Sequence, residues 1–110
     1  MKKIGSVNVL GRKVHVFRTK KMPEGTEHFW AYYDIIHRVI IINDSVQTPP
    51  SFRKEIFYHE LKHALMDRLG FNATSMEDDV HELLSEGFRN FVFDNFEFKD
   101  KKLLAKLLKK

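Results

Sequence analysis

The first third of the chain alternates short apolar and polar runs, and the rest is dominated by helical spacing. Val7, Val9, Val14 and Val16, with Leu10 and Phe17 beside them, are β-formers, so residues 4–18 read as two strands joined at Gly11-Arg12. A loop follows at 20–27, marked by Met22-Pro23-Glu24-Gly25. Residues 29–34 predict a third strand and 35–38 its turn. Val39-Ile40-Ile41-Ile42 predicts a fourth, of the kind covered on both faces, which Asn43-Asp44-Ser45 ends. Thr48-Pro49-Pro50-Ser51 marks a helix start, with the prolines in the first turn and Thr48 or Ser51 as cap. That helix runs to about Leu69, where Gly70 stops it. Thr74 stands at capping-box spacing before Glu77, and a second helix is expected from about Met76 to Asn95. Its apolar face is built on Val80, Leu83, Leu84, Phe88, Phe91 and Val92. Lys101 to Lys109 predicts a short amphipathic helix. Strands first and helices after predict an α+β domain: a small antiparallel sheet of three to four strands, two long helices, and a short C-terminal amphipathic helix.

Inside the first helix stands Tyr58-His59-Glu60-Leu61-Lys62-His63-Ala64, an H-E-x-x-H pattern. Residues four apart project from nearly the same helix face, so two imidazoles there can share one Zn²⁺. Glu60 is rotated round the helix and sits beside the metal, where it can take a proton from a water. Ile56, Phe57, Ala64, Leu65 and Leu69 give the same helix an apolar stripe, so the motif lies in a packed element. Two solvated histidines on an ordinary helix are the plainer alternative.

Composition narrows the classes. At 110 residues the chain is one domain, 1–110, and its ten Phe support a real but small core. It has no cysteine, which excludes disulfides and thiolate metal sites and fits a reducing compartment. No run reaches the length of a membrane span. Met1-Lys2-Lys3-Ile4-Gly5 lacks the apolar run of a signal peptide, so a cytoplasmic protein is expected. The net charge of +4 is modest, and much of it lies in Lys99, Lys101, Lys102, Lys106, Lys109 and Lys110. A solvated helix face accounts for that tail, and no nucleic-acid motif accompanies it.

A catalytic zinc takes three protein ligands and keeps a fourth position for water. Glu77, His81, Glu82 and Glu86 on the second helix are the candidates for the third. Glu77 and His81 border the apolar face, Glu82 and Glu86 point further round, and helix phase does not choose among them.

The stretch from Val39 to Asn95 resembles a family of small phage and prophage proteins with zinc-peptidase motifs, related in layout to the ImmA/IrrE metallopeptidases. The shared features are a strand pair with Tyr33-Asp34 and Arg38-Val39-Ile40-Ile41-Ile42, a helix with His59-Glu60-Leu61-Lys62-His63-Ala64, a stop at Leu69-Gly70, and a helix ending Gly87-Phe88-Arg89-Asn90-Phe91-Val92-Phe93-Asp94-Asn95. The family has a glutamate about five residues before that glycine, where this chain has Glu82. Glu82 follows His63 by 19 residues (82 − 63), similar to thermolysin-like enzymes with a glutamate as third ligand. The resemblance thus implies a gluzincin-like zinc metallopeptidase of one ion on His59, His63 and Glu82, with Glu60 as general base. His81, beside Glu82, is the alternative ligand or an oxyanion donor; Tyr58, Tyr32 and Tyr33 are other donors of the right type. It also implies a peptide or protein substrate laid as a strand on the sheet at 29–34 or 39–42, and a phage-encoded chain working in the host cytoplasm. A domain this short has little room for a walled cleft, so a homodimer, a partner or an exposed edge would complete the site. The competing expectation is a non-catalytic metal-binding or protein-interaction module of phage or prophage origin.

Overall fold

The computed structural model describes residues 1–70, 86, 87, 89, 90 and 99–109. Four strands form one sheet: β1 (Lys2–Val9), β2 (Arg12–Thr19), β3 (Ala31–Asp34) and β4 (Val39–Asn43). Two helices follow, α1 (Pro50–Arg68) and α2 (Lys101–Leu108). Leu10 and Gly11 both take positive φ, 50° and 86°, the backbone a two-residue hairpin turn needs to match strand twist. Asn8 Oδ1 accepts the Gly11 N–H at 2.7 Å and braces that turn.

The sheet order is β1-β2-β4-β3, with β2 and β4 parallel and the other two pairs antiparallel. The sheet is therefore mixed, which corrects the antiparallel expectation. The reason lies in burial. Ile40, Ile41 and Ile42 are all nearly inaccessible, so their strand takes an interior position with a neighbour on each side. β3 carries Tyr32, Tyr33 and Asp34, all half-buried, and goes outside it. The loop between β2 and β3 is long enough to cross the end of β4. It is fixed there by the side-chain amide of Asn43, which donates to Phe29 O at 2.8 Å, and by Thr26 Oγ1 donating to Pro23 O at 2.7 Å.

α1 starts as the prolines require, but neither Thr48 nor Ser51 caps it. Pro49 occupies the N-cap position with no side-chain bond. Pro50 at the first helical position brings no N–H, so the turn starts with one free donor fewer. The helix ends at Gly70, φ 82°, whose N–H reaches Asp67 O at 3.0 Å. Ile56, Phe57 and Ala64 drive its inner face into a core shared with Val14, Val16, Ile40 and Ile42. Leu103 and Leu107 close that core from α2, whose N-terminus is capped by Asp100 accepting the Leu103 N–H at 3.0 Å.

The expectation of two long helices is also corrected. Among the described residues there is one helix of 19 residues and a short one of 8. Most of the range 76–95, with the Thr74 capping box, lies outside the described residues; Glu86, Gly87, Arg89 and Asn90 within it are helical. Among the described residues no helix is long and apolar enough to cross a membrane.

Candidate metal centre

α1 projects His59 and His63 side by side. Their Nε2 atoms stand 3.2 Å apart, with the rings nearly perpendicular at 80°. Two imidazole nitrogens on one tetrahedral ion, each at ~2.0–2.1 Å, would be about 3.3 Å apart. The observed separation is of hydrogen-bond length, one ring nitrogen donating to the other, and is close to that spacing. Neutral imidazole is also the donor that zinc accepts most readily after thiolate, so the two rings fit the ion in both geometry and chemistry.

Glu60 turns away from solvent and is 7% exposed. Burial pushes its carboxyl up to about 7, against the pull of the Lys62 charge and of a hydrogen bond from the Tyr33 backbone. Even-numbered residues of β3 face β4: Trp30 O accepts from Asn43 N and Asp34 O from Arg38 N. Tyr33 therefore aims its N–H at the opposite edge of the strand, toward α1. The sheet edge and the base are thus in contact.

Glu86 is one of the four candidates for the third ligand. It lies on the far side of His59: its Oε1 is 3.0 Å from His59 Nδ1, the ring nitrogen opposite the one that faces His63. The same oxygen accepts Lys62 Nζ at 2.7 Å, and Oε2 accepts Arg89 Nε at 2.8 Å. Burial raises Glu86, but the bonds from Lys62 and Arg89 outweigh it and hold the carboxyl at about 2. Glu82, His81 and Glu77 lie outside the described residues. Among the described residues no group of three His, Asp or Glu side chains converges on one point, so a third ligand would have to come from elsewhere in the chain.

Sequence reasoning passed over Lys62 and Arg89. Lys62 is almost wholly buried, with no exposed side-chain surface. Its signal was available, since it stands three residues after His59 on the same side of the helix, where a buried ammonium requires an anion from a neighbouring element. A groove of about 430 Å³ opens beside His59 and Glu60, walled by His28, Phe29, Trp30 and Phe52. Trp30 packs edge-on against Phe52 with centroids 4.8 Å apart and is 51% exposed. Of the two strands named for a substrate, β4 is paired on both sides and β3 has the outer position. Tyr33 Oη donates to Asp67 Oδ2 at 2.8 Å, so that hydroxyl is engaged at the far end of α1.

No family model, no curated protein and no solved structure matches the chain.

Proposed function

We propose that the chain is a small zinc-dependent peptidase. The observation that carries this reading is the 3.2 Å separation of His59 Nε2 and His63 Nε2, with the buried carboxylate of Glu60 on the intervening turn. His59 and His63 would hold the ion, with Glu82 as third ligand by resemblance and His81 as its alternative. When bound, zinc lowers the pKa of a coordinated water and polarises the scissile carbonyl. Glu60 takes the proton of the attacking water and returns it to the leaving amine. The groove beside His59 would take an extended peptide, with β3 as the strand it runs along. A host-cytoplasmic site of action and a phage or prophage origin belong to the same proposal.

The test compares zinc-loaded wild type with Glu60→Gln on a mixture of peptides from digested cell protein, reading new chain ends by mass spectrometry. Glu60→Gln should keep its zinc and produce no new ends, because it removes the base and leaves both imidazoles. Equal cleavage by both proteins, or none by the zinc-loaded wild type, would overturn the reading.

A further inference from the structure

We propose that the cavity at the C-terminal ends of β2 and β4 binds a small organic phosphate, held by Arg18, Lys20 and Arg53. β2 and β4 run parallel, and the N–H of Asp44, just past β4, reaches Thr19 O at 2.7 Å. The chain then turns into α1, so two strand ends and a helix start border one space. Its volume is about 630 Å³, and it shares no lining residue with the groove beside His59. In open α/β sheets, ligands bind in crevices beyond the carboxyl ends of parallel strands.

Charge balance identifies the occupant. Arg53 is 7% exposed, and Arg18 has 12% of its side chain exposed. Both guanidiniums depend on one carboxylate, Asp44. Arg18 Nε donates to its Oδ1 at 2.9 Å, and Arg53 Nη1 stands 3.8 Å from the same oxygen. Lys20 lines the cavity as an exposed cation. Three cations against one carboxylate leave two positive charges over. Burial and the Arg18 charge lower the pKa of Arg53, and Asp44 offsets them only in part. Buried charge of one sign is costly until it is paired. A phosphate monoester carries about two negative charges at neutral pH.

Donors remain for it. Arg53 Nη1 donates to Leu107 O and Lys109 O, and Arg18 Nη1 to Lys106 O and Lys109 O, so the end of α2 holds both guanidiniums in position. Among the described residues, Arg53 Nε and Nη2 and Arg18 Nη2 make no hydrogen bond, although each guanidinium has N–H groups to give there. α1 adds an N-terminus with no side-chain cap and no acidic residue in its first turn, which leaves its positive end to the cavity. Pro49 and Pro50 supply an apolar wall for the organic part of the ligand, and the volume lies in the range of small-molecule sites.

The test titrates phenyl phosphate and, separately, inorganic phosphate into the metal-free protein at low salt, followed by proton–nitrogen NMR. Saturable shifts should centre on the Arg53 Nε–H and on the amides of Ser51 and Phe52, and phenyl phosphate should bind more tightly than inorganic phosphate. Lys20→Gln changes an exposed side chain and should weaken binding about 2- to 5-fold. Asp44→Asn should tighten it about 5-fold or more, because it removes the competing carboxylate. A cluster with a purely structural role would not give these opposite signs. No saturable binding by wild type, shifts spread over the exposed lysines instead, or wild-type affinity in both variants would overturn the proposal. Equal affinity for the two phosphates would overturn the assignment of an organic ligand.

Discussion

The backbone N–H of Tyr33 is directed toward the carboxylate of Glu60 and favours its charged form, so the outer strand of the sheet approaches the base on α1. A carboxyl left in water would titrate near its ordinary 4.5, whereas here burial raises it to about 7.

That shift fixes how the metal-free protein responds to pH. Between 4.5 and about 7 the folded chain holds a proton on Glu60 that the unfolded chain has lost. Stability from this group is therefore fully present below the lower value and declines as pH rises through the higher one. The gap is worth about 3 kcal/mol. Glu60→Gln carries no such penalty. Urea unfolding of the metal-free proteins should show the variant gaining on wild type as pH rises from about 5 to about 8. A constant difference across that range would show that Glu60 is not buried as described.

The tie between Tyr33 and Asp67 makes a second prediction. Tyr33→Phe removes a 2.8 Å bond from β3 to the last turn of α1 but leaves Asp67 within 3.9 Å of Arg12. The loss should be about 1 kcal/mol in urea unfolding. Zinc affinity should not change, because the hydroxyl is not directed at His59 or His63. A large drop in zinc affinity would mean that this end of α1 sets the site geometry.

Gly5 is required by the approach of α2. A Cβ at this position would come 2.9 Å from Leu103 Cδ1, and Leu103 is only 2% exposed, so its side chain has little space to move into. Gly5→Ala should cost about 1–3 kcal/mol through overpacking. Gly5→Ala with Leu103→Ala should recover part of the loss attributable to the clash, read as non-additivity in a double-mutant cycle. Strict additivity would contradict the contact.

The parts of this fold that were legible are those fixed locally. The all-aliphatic strand ending at Asn43 and the stop at Gly70 follow from the residues on the spot, and so does a hairpin at Gly11, although the turn uses Leu10-Gly11 and not Gly11-Arg12. The order of the strands does not, because it depends on comparing the burial of Ile40–Ile42 with that of Tyr32 and Tyr33 across the whole sheet. The cap of α1 differs as well: Thr48 and Ser51 are good caps in isolation, but Pro49 takes the N-cap position and brings no side-chain acceptor. At the candidate centre, the side-by-side placement of His59 and His63 on one helix face was legible from their spacing. The place of Glu86 was not, since helix phase tells which way a side chain leaves its own helix and nothing about the lysine that captures it.

The central claim is that His59 and His63 together hold one zinc ion, and the most direct measurement is zinc content per chain after loading and removal of excess metal. We expect one ion on the wild type and none retained by His59→Ala or by His63→Ala. Wild type without zinc, or either variant retaining a full equivalent, would contradict the account.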